Sequence, residues 1–204
     1  MNNSDLRLYL IASSSSFNEP LADLETAFKS GVTCFQLREK GSNIKSGQAL
    51  IDFAKEVKVL CKKYEVPLII NDDVELAESI DADGIHIGQD DMKPEDLPVL
   101  FNDKIIGLSV GNMKELLESQ LGKVSYLGVG PVYSTTSKDD AGAAIGIEGL
   151  KQLAGYTYLP IAAIGGITTA NYTSCLENGA DGICVISAIT QADNIEQTVT
   201  ALLQ

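Results

Sequence analysis

Long apolar runs are missing from this chain. No stretch approaches the ~20 residues of a membrane span, and Met1-Asn2-Asn3-Ser4-Asp5 lacks the basic and apolar regions of a secretory signal, so the expectation is a cytoplasmic protein. Histidine occurs once, at His86. That excludes a multi-histidine zinc site and leaves one possible histidine-based triad; a histidine flanked by Ile85 and Ile87 reads first as a buried, hydrogen-bonded residue. Cysteine is sparse: Cys34, Cys61, Cys175 and Cys184 show no Cys-x-x-Cys spacing and read as buried thiols, not as bridges or metal ligands. Positive charge is short as well, 15 Lys and Arg against 28 acids for a net charge of -13. This argues against nucleic acid as a partner, while anionic small molecules remain open, because local cations or a bound metal can reverse the field inside one cleft. The Gly-x-Gly-x-x-Gly of dinucleotide folds and the P-loop are both absent.

What is present is alternation. With 204 residues, 45% of them hydrophobic, the chain is long enough for one large core, and a single domain over residues 1–204 is expected. Strands are read at Leu6 to Ala12, Thr33 to Leu37, Pro67 to Ile70, Gly84 to Gly88, Lys104 to Ser109, Val124 to Val129, Pro160 to Ile164 and Gly182 to Ile186. Between and after them helices are read at Leu21 to Ser30, Ile44 to Tyr64, Val74 to Ile80, Glu95 to Phe101 and Met113 to Leu121, then from Ile147, Thr169 and Asn194. Eight strand-helix pairs call for a parallel sheet closed on itself, a TIM (β/α)8 barrel of the α/β class. An open doubly wound sheet is the second choice, weakened by the missing glycine motif. An internal echo favours the barrel: Ala82-Asp83-Gly84-Ile85 recurs as Ala180-Asp181-Gly182-Ile183, and Val66-Pro67-Leu68 as Leu159-Pro160-Ile161.

A barrel gathers its functional groups at the carboxyl ends of its strands. Those ends carry Gln36, Arg38 and Lys40; Asn71 and Asp72; Asp91; Ser109; the Gly130 loop; Gly165 and Gly166; and Ile186 and Ser187. Arg38 and Lys40 alternate along an extended segment and therefore point to one side, with Glu39 opposite. They form either a surface salt-bridge pair or a grip on a diphosphate whose metal Asp72 and Asp91 hold. Magnesium suits such a pair of acids, since it takes oxygen ligands and commonly uses one or two carboxylates plus substrate phosphate. Asp72 and Asp73 are also placed to cap the helix from Val74. The glycines after strand seven and the turn after strand eight sit where barrels bind phosphate. The loop Ser134-Thr135-Thr136-Ser137-Lys138 reads as a mobile phosphate-binding lid or as a solvated polar loop.

These residues carry a resemblance. Gln36-Leu37-Arg38-Glu39-Lys40, Asn71-Asp72, His86-Ile87-Gly88-Gln89-Asp90-Asp91, Gly128-Val129-Gly130-Pro131-Val132-Tyr133, Gly165-Gly166-Ile167 and Val185-Ile186-Ser187-Ala188-Ile189 resemble, in order and spacing, the thiamine phosphate synthase family along essentially the whole chain. The resemblance implies a transferase joining 4-amino-2-methyl-5-hydroxymethylpyrimidine diphosphate to a thiazole phosphate, giving thiamine phosphate and diphosphate. It implies that Gln36, Leu37, Arg38, Glu39, Lys40 and Asn71 contact the pyrimidine diphosphate, that Asp72 and Asp91 hold magnesium, and that Ser109 and Lys138 meet diphosphate oxygens. Thr135, Thr136, Ser137, Gly166, Ile186 and Ser187 would take the thiazole phosphate. Arg38, Lys40 and Lys138 would draw off the leaving group. Two departures stand out: Ser134 and Ser137 replace a proline and a threonine of the family's Pro-Thr-x-Thr-Lys loop, and Ser109-Val110-Gly111 lacks the histidine that commonly follows the serine. Alternatives are a thiazole tautomerase, a sugar-phosphate isomerase or epimerase, and a barrel that binds thiazole or thiamine phosphate without turnover. Helix faces outside a barrel suit a second copy or water equally, and oligomeric state stays open.

Overall fold

All five residues of β1 (Leu8–Ala12), Leu-Tyr-Leu-Ile-Ala, are buried, as a strand covered on both faces must be. The same holds for β2 (Cys34–Leu37), β4 (Gly84–Ile87), β6 (Tyr126–Val129) and β8 (Gly182–Val185). With β3 (Leu68–Asn71), β5 (Ile105–Val110) and β7 (Ile161–Ile164) they form a closed, all-parallel barrel in chain order, β8 pairing back onto β1. The computed structural model describes residues 3–137 and 142–204. Around the barrel run α1 (Pro20–Ser30), α2 (Gly47–Lys63), α3 (Val74–Ser79), α4 (Met113–Glu118), α5 (Gly146–Ala154), α6 (Tyr172–Glu177), α7 (Ser187–Thr190) and α8 (Ile195–Leu203). Among the described residues no helix is long and apolar enough to cross a membrane.

Two elements differ from the sequence expectation. The helix read at Glu95 to Phe101 is a pair of 3-10 turns, Pro94–Asp96 and Val99–Phe101. Pro98 separates them: it has no N–H to donate, and it disfavours helical geometry at Leu97, which is extended at φ -60° and ψ 142°. The single turn α7 follows β8 directly, and four residues are too few to show a helical period.

The echo between half-barrels has a physical cause. Asp83 Oδ2 accepts from the N–H of Leu68 at the start of β3, and Asp181 Oδ2 accepts from Ile161 at the start of β7, each at 2.8 Å. The glycine after each aspartate lets the next chain pass: a Cβ at Gly84 would lie 2.3 Å from the Ile105 carbonyl oxygen, and one at Gly182 only 1.7 Å from that of Leu6. Asp-Gly is thus the same strand-start device, used at β4 and at β8.

Alternate strand residues divide between two cores. Leu8, Leu10, Phe35, Leu37, Leu68, Ile70, Ile85 and Ile87 face the helices in one continuous apolar shell. Tyr9, Ile11, Cys34, Ile69, Tyr126, Ala162 and Cys184 fill the barrel interior. The four cysteines are buried, and none is in a disulfide among the described residues. Burial pushes the Cys34 and Cys61 thiols well up, keeping them protonated.

Candidate active site

At the carboxyl end of β3 the chain turns sharply. Asp72 has a φ of +60°, a left-handed conformation that aspartate tolerates better than most residues. Its N–H donates to the His86 carbonyl of β4 at 2.9 Å. Asp73 is the residue that caps α3, accepting from Leu76 N–H at 2.9 Å, and Asp72 is thereby left for the rim. Asp72 Oδ2 accepts from Asn71 Nδ2 at 2.6 Å and pairs with Lys40 Nζ at 2.5 Å. Asp91, carried by the turn after β4, accepts from the Gly88 N–H at 2.8 Å. The two carboxyl groups are near enough to influence each other. Partial burial holds the Asp72 carboxyl above its ordinary value, the neighbouring Asp91 adds to this through a shared hydrogen bond and repulsion, and Lys40 works against both.

The opposite half of the rim carries little charge. After β7, Gly165 and Gly166 have φ values of +100° and +65°, and a Cβ on Gly166 would stand 2.7 Å from both the Ser134 carbonyl oxygen and Tyr133 Cβ. Glycine here lets the β6 and β7 loops lie against each other. Val132 N–H donates to Ile164 and Tyr133 N–H to Gly165, at 2.8 and 3.0 Å. This contact brings the loop after β6 onto the start of α7, where Ser137 Oγ and Ser187 Oγ lie 3.1 Å apart.

Between the two halves lies a cavity of about 770 Å³. Of the residues expected in a site, Lys40, Asp91, Ser109, Thr135, Ser137, Gly166, Ile186 and Ser187 line it. Asn71 and Asp72 join it through Lys40 and Asp91. Arg38, half-buried, anchors its backbone N–H on Ala12 at 2.9 Å.

Below the cavity floor the barrel interior is polar, and His86 is the buried, hydrogen-bonded residue that its place between Ile85 and Ile87 suggested. Gln36 Nε2 donates to Tyr9 Oη at 2.7 Å, Tyr9 and Tyr126 hydroxyls are 2.7 Å apart, Tyr126 Oη meets His86 Nδ1 at 2.9 Å, and His86 Nε2 meets Ser109 Oγ at 2.9 Å. The space is made by glycines: a Cβ on Gly107 would fall 2.4 Å from both His86 Nδ1 and Tyr126 Oη, and one on Gly128 3.0 Å from His86 Cε1.

The profile of the thiamine monophosphate synthase family matches residues 8–189, which takes in every strand of the barrel and both halves of the rim. The chain belongs to the thiamine monophosphate synthase family. It is 50% identical over 182 residues to a thiamine-phosphate synthase of Staphylococcus epidermidis, covering 89% of this chain and 86% of that one. It is also 50% identical over 197 residues to one of Streptococcus suis, at 95% and 86% coverage. Among solved structures, a thiamine phosphate pyrophosphorylase from Pyrococcus furiosus superposes with a TM-score of 0.86 at 30% identity, covering 98% of this chain and 95% of that one.

Within this synthase fold some expected positions lie elsewhere. The Leu37 side chain is buried in the shell between barrel and helices, so it does not reach the cavity. The Glu39 carboxylate is taken by the scaffold: it accepts from the Ser14 N–H and hydroxyl and from the Lys45 N–H, tying the β1 loop to the β2 loop. The Thr136 side chain is exposed, while its neighbours Thr135 and Ser137 line the cavity. Lys138 lies outside the described residues. Sequence reading missed Tyr9 and Tyr126. Their signal was a hydroxyl on an otherwise apolar strand, which has to find a partner when buried.

Proposed function

We propose that this chain makes thiamine phosphate, joining 4-amino-2-methyl-5-hydroxymethylpyrimidine diphosphate to a thiazole phosphate at the mouth of the barrel. The observation that carries the reading is that Lys40 and Asp91 on one side, and Ser137 and Ser187 on the other, line one cavity. An ionic grip and a neutral hydroxyl-and-glycine grip thus face each other, as a departing diphosphate and a retained phosphate require. Like its relatives, the enzyme is a transferase acting on small molecules, and the cytoplasm is the compartment this reading assigns.

The reaction breaks the bond between the pyrimidine methylene carbon and the diphosphate oxygen, with the electron pair leaving on oxygen. The aminopyrimidine ring spreads the positive charge left on carbon, and the thiazole nitrogen lone pair then forms the new C–N bond. No proton has to move in the bond-making step. The chain's one histidine has both ring nitrogens hydrogen-bonded inside the barrel and is not needed as a general base. What the site must supply is charge stabilisation on the leaving group. Lys40 and Arg38 stand on the segment where that charge develops, Ser109 presents its hydroxyl to the same cavity, and Lys138 joins them on the strength of the family resemblance.

Asp72 and Asp91 fit magnesium: two adjoining carboxylates with no third acidic, histidine or cysteine group clustered beside them among the described residues match an ion that completes its shell with water and phosphate oxygens. When bound, magnesium supplies positive charge against the diphosphate. Gln36 Oε1 is buried without a hydrogen-bond partner among the described residues, which suits an acceptor for the pyrimidine amino group.

Purified protein incubated with both substrates and magnesium should yield thiamine phosphate by mass spectrometry. Absence of product would overturn the reading. An electron-withdrawing fluorine on the pyrimidine substituent should slow the reaction steeply, and an unchanged rate would remove the cationic intermediate.

A further inference from the structure

The four hydrogen bonds that cross the barrel have a direction, and it is set at Gln36. Gln36 Nε2 carries only hydrogens to give, so Tyr9 Oη, 2.7 Å away, accepts from it. Tyr9 then has its own proton to give to Tyr126, 2.7 Å away, and Tyr126 in turn can give its proton to His86 Nδ1 at 2.9 Å. An Nδ1 that accepts leaves the ring's proton on Nε2, where it meets Ser109 Oγ at 2.9 Å. The serine oxygen accepts there, and its hydroxyl proton points elsewhere. Ser109 lines the cavity.

We propose that Gln36, Tyr9, Tyr126, His86 and Ser109 form a one-way hydrogen-bond wire that holds His86 as its Nε2–H tautomer and commits the Ser109 hydroxyl to donate into the cavity. The amide orientation that starts the wire has its own support. As placed, the buried atom without a partner is the carbonyl oxygen of Gln36; with the amide reversed it would be an NH2 group, and buried unpaired N–H donors are the rarer and costlier case. Burial pushes the Tyr9 and Tyr126 phenols well above their ordinary values, so both keep the proton that the wire passes along. Gly107 and Gly128 leave room for the ring: a Cβ at Gly107 would clash with His86 and Tyr126, and one at Gly128 would crowd His86. His86, Tyr126 and Tyr9 are positioning residues in this scheme, and Ser109 is the group that touches substrate. That last step rests on the reading of the cavity as the diphosphate site.

The single histidine makes the tautomer measurable. In a long-range proton–nitrogen NMR spectrum of the uniformly 15N-labelled, substrate-free protein, the only imidazole signals are those of His86, and they should show Nε2 protonated and Nδ1 bare. Gln36→Glu replaces a donor by an acceptor at the start of the wire. With the introduced carboxyl ionised, as its own 13C resonance reports, the two ring nitrogens should exchange roles, three hydrogen bonds away from the substitution. Unchanged ring nitrogens in that variant, or a protonated Nδ1 in the parent protein, would overturn the wire whatever the enzyme's activity.

Kinetics supply the second arm. Ser109→Ala and His86→Leu should each lower kcat/KM for the pyrimidine diphosphate about tenfold, the order expected for one hydrogen bond to a charged group, with KM for the thiazole phosphate unmoved. The double variant should lose no more than either alone, and His86→Gln, whose amide can donate to Ser109, should recover part of the loss. Additive losses would break the link between His86 and Ser109. If His86→Leu does not fold, His86→Gln and the NMR comparison decide the matter.

Discussion

The two halves of the rim are built in different ways. From β2 to β4 the side chains are ionic and crowded: Lys40 on Asp72, Asp72 against Asp91, Asn71 on Asp72. From β6 to β8 the contacts are made by neutral hydroxyls and by glycine backbone: Ser137 on Ser187, and Gly165 and Gly166 against the loop after Pro131. A group that must leave with its electrons needs charge that strengthens as the bond breaks. A phosphate that only anchors its substrate needs fixed donors and no change in strength. Strong charges at the anchoring end would bind ground state and transition state alike, without accelerating the chemistry.

Substitutions on the two sides should therefore separate in kind. The largest effect is expected from Asp72→Asn and Asp91→Asn, each lowering turnover roughly 100-fold or more with a raised magnesium requirement, because metal charge stabilisation is worth several kcal/mol. Wild-type rates in both variants would dissolve the ionic half. Next is Gly166→Ala, which puts a side chain at φ +65° and 2.7 Å from the neighbouring loop. It should raise KM for the thiazole phosphate about tenfold or more while the pyrimidine KM holds, and a reversed pattern would swap the two assignments. Ser137→Ala removes one hydroxyl of the neutral half, and steady-state kinetics should show a rise of about threefold to tenfold in the same KM. Smallest is Glu39→Gln. The glutamate stands on the charged segment but holds loops together, so the variant should lose about 1 kcal/mol of stability, a fall of roughly 2–4 °C in Tm for a chain of this size, with both KM values unchanged. A raised pyrimidine KM would return Glu39 to the binding site.

Much of this was legible in the residues. Alternating apolar segments with acids or glycines at their ends announce parallel strands capped by a functional rim, and the two Asp-Gly echoes mark equivalent strand starts that the structure realises with matching 2.8 Å hydrogen bonds. Other features were hidden because they depend on direction. Leu37, Arg38, Glu39 and Lys40 are consecutive, yet one packs outward, one pairs with Asp72 and one ties loops, since each successive side chain leaves the backbone on a different side. The helix expected at Glu95 failed at Pro98, where a single missing N–H outweighed the pattern around it.

The amino-acid order alone determined the number of strands, their parallel sense and the place of the acids and glycines at one edge, because these follow from local periodicity and from which residues can end a strand. Only the closed barrel decided that Gln36, Tyr9, Tyr126, His86 and Ser109, drawn from five strands, would touch in sequence. Those contacts join residues as far as 117 positions apart and exist because closure turns alternate side chains into one small interior, where buried polar groups take their partners from whatever the other strands supply.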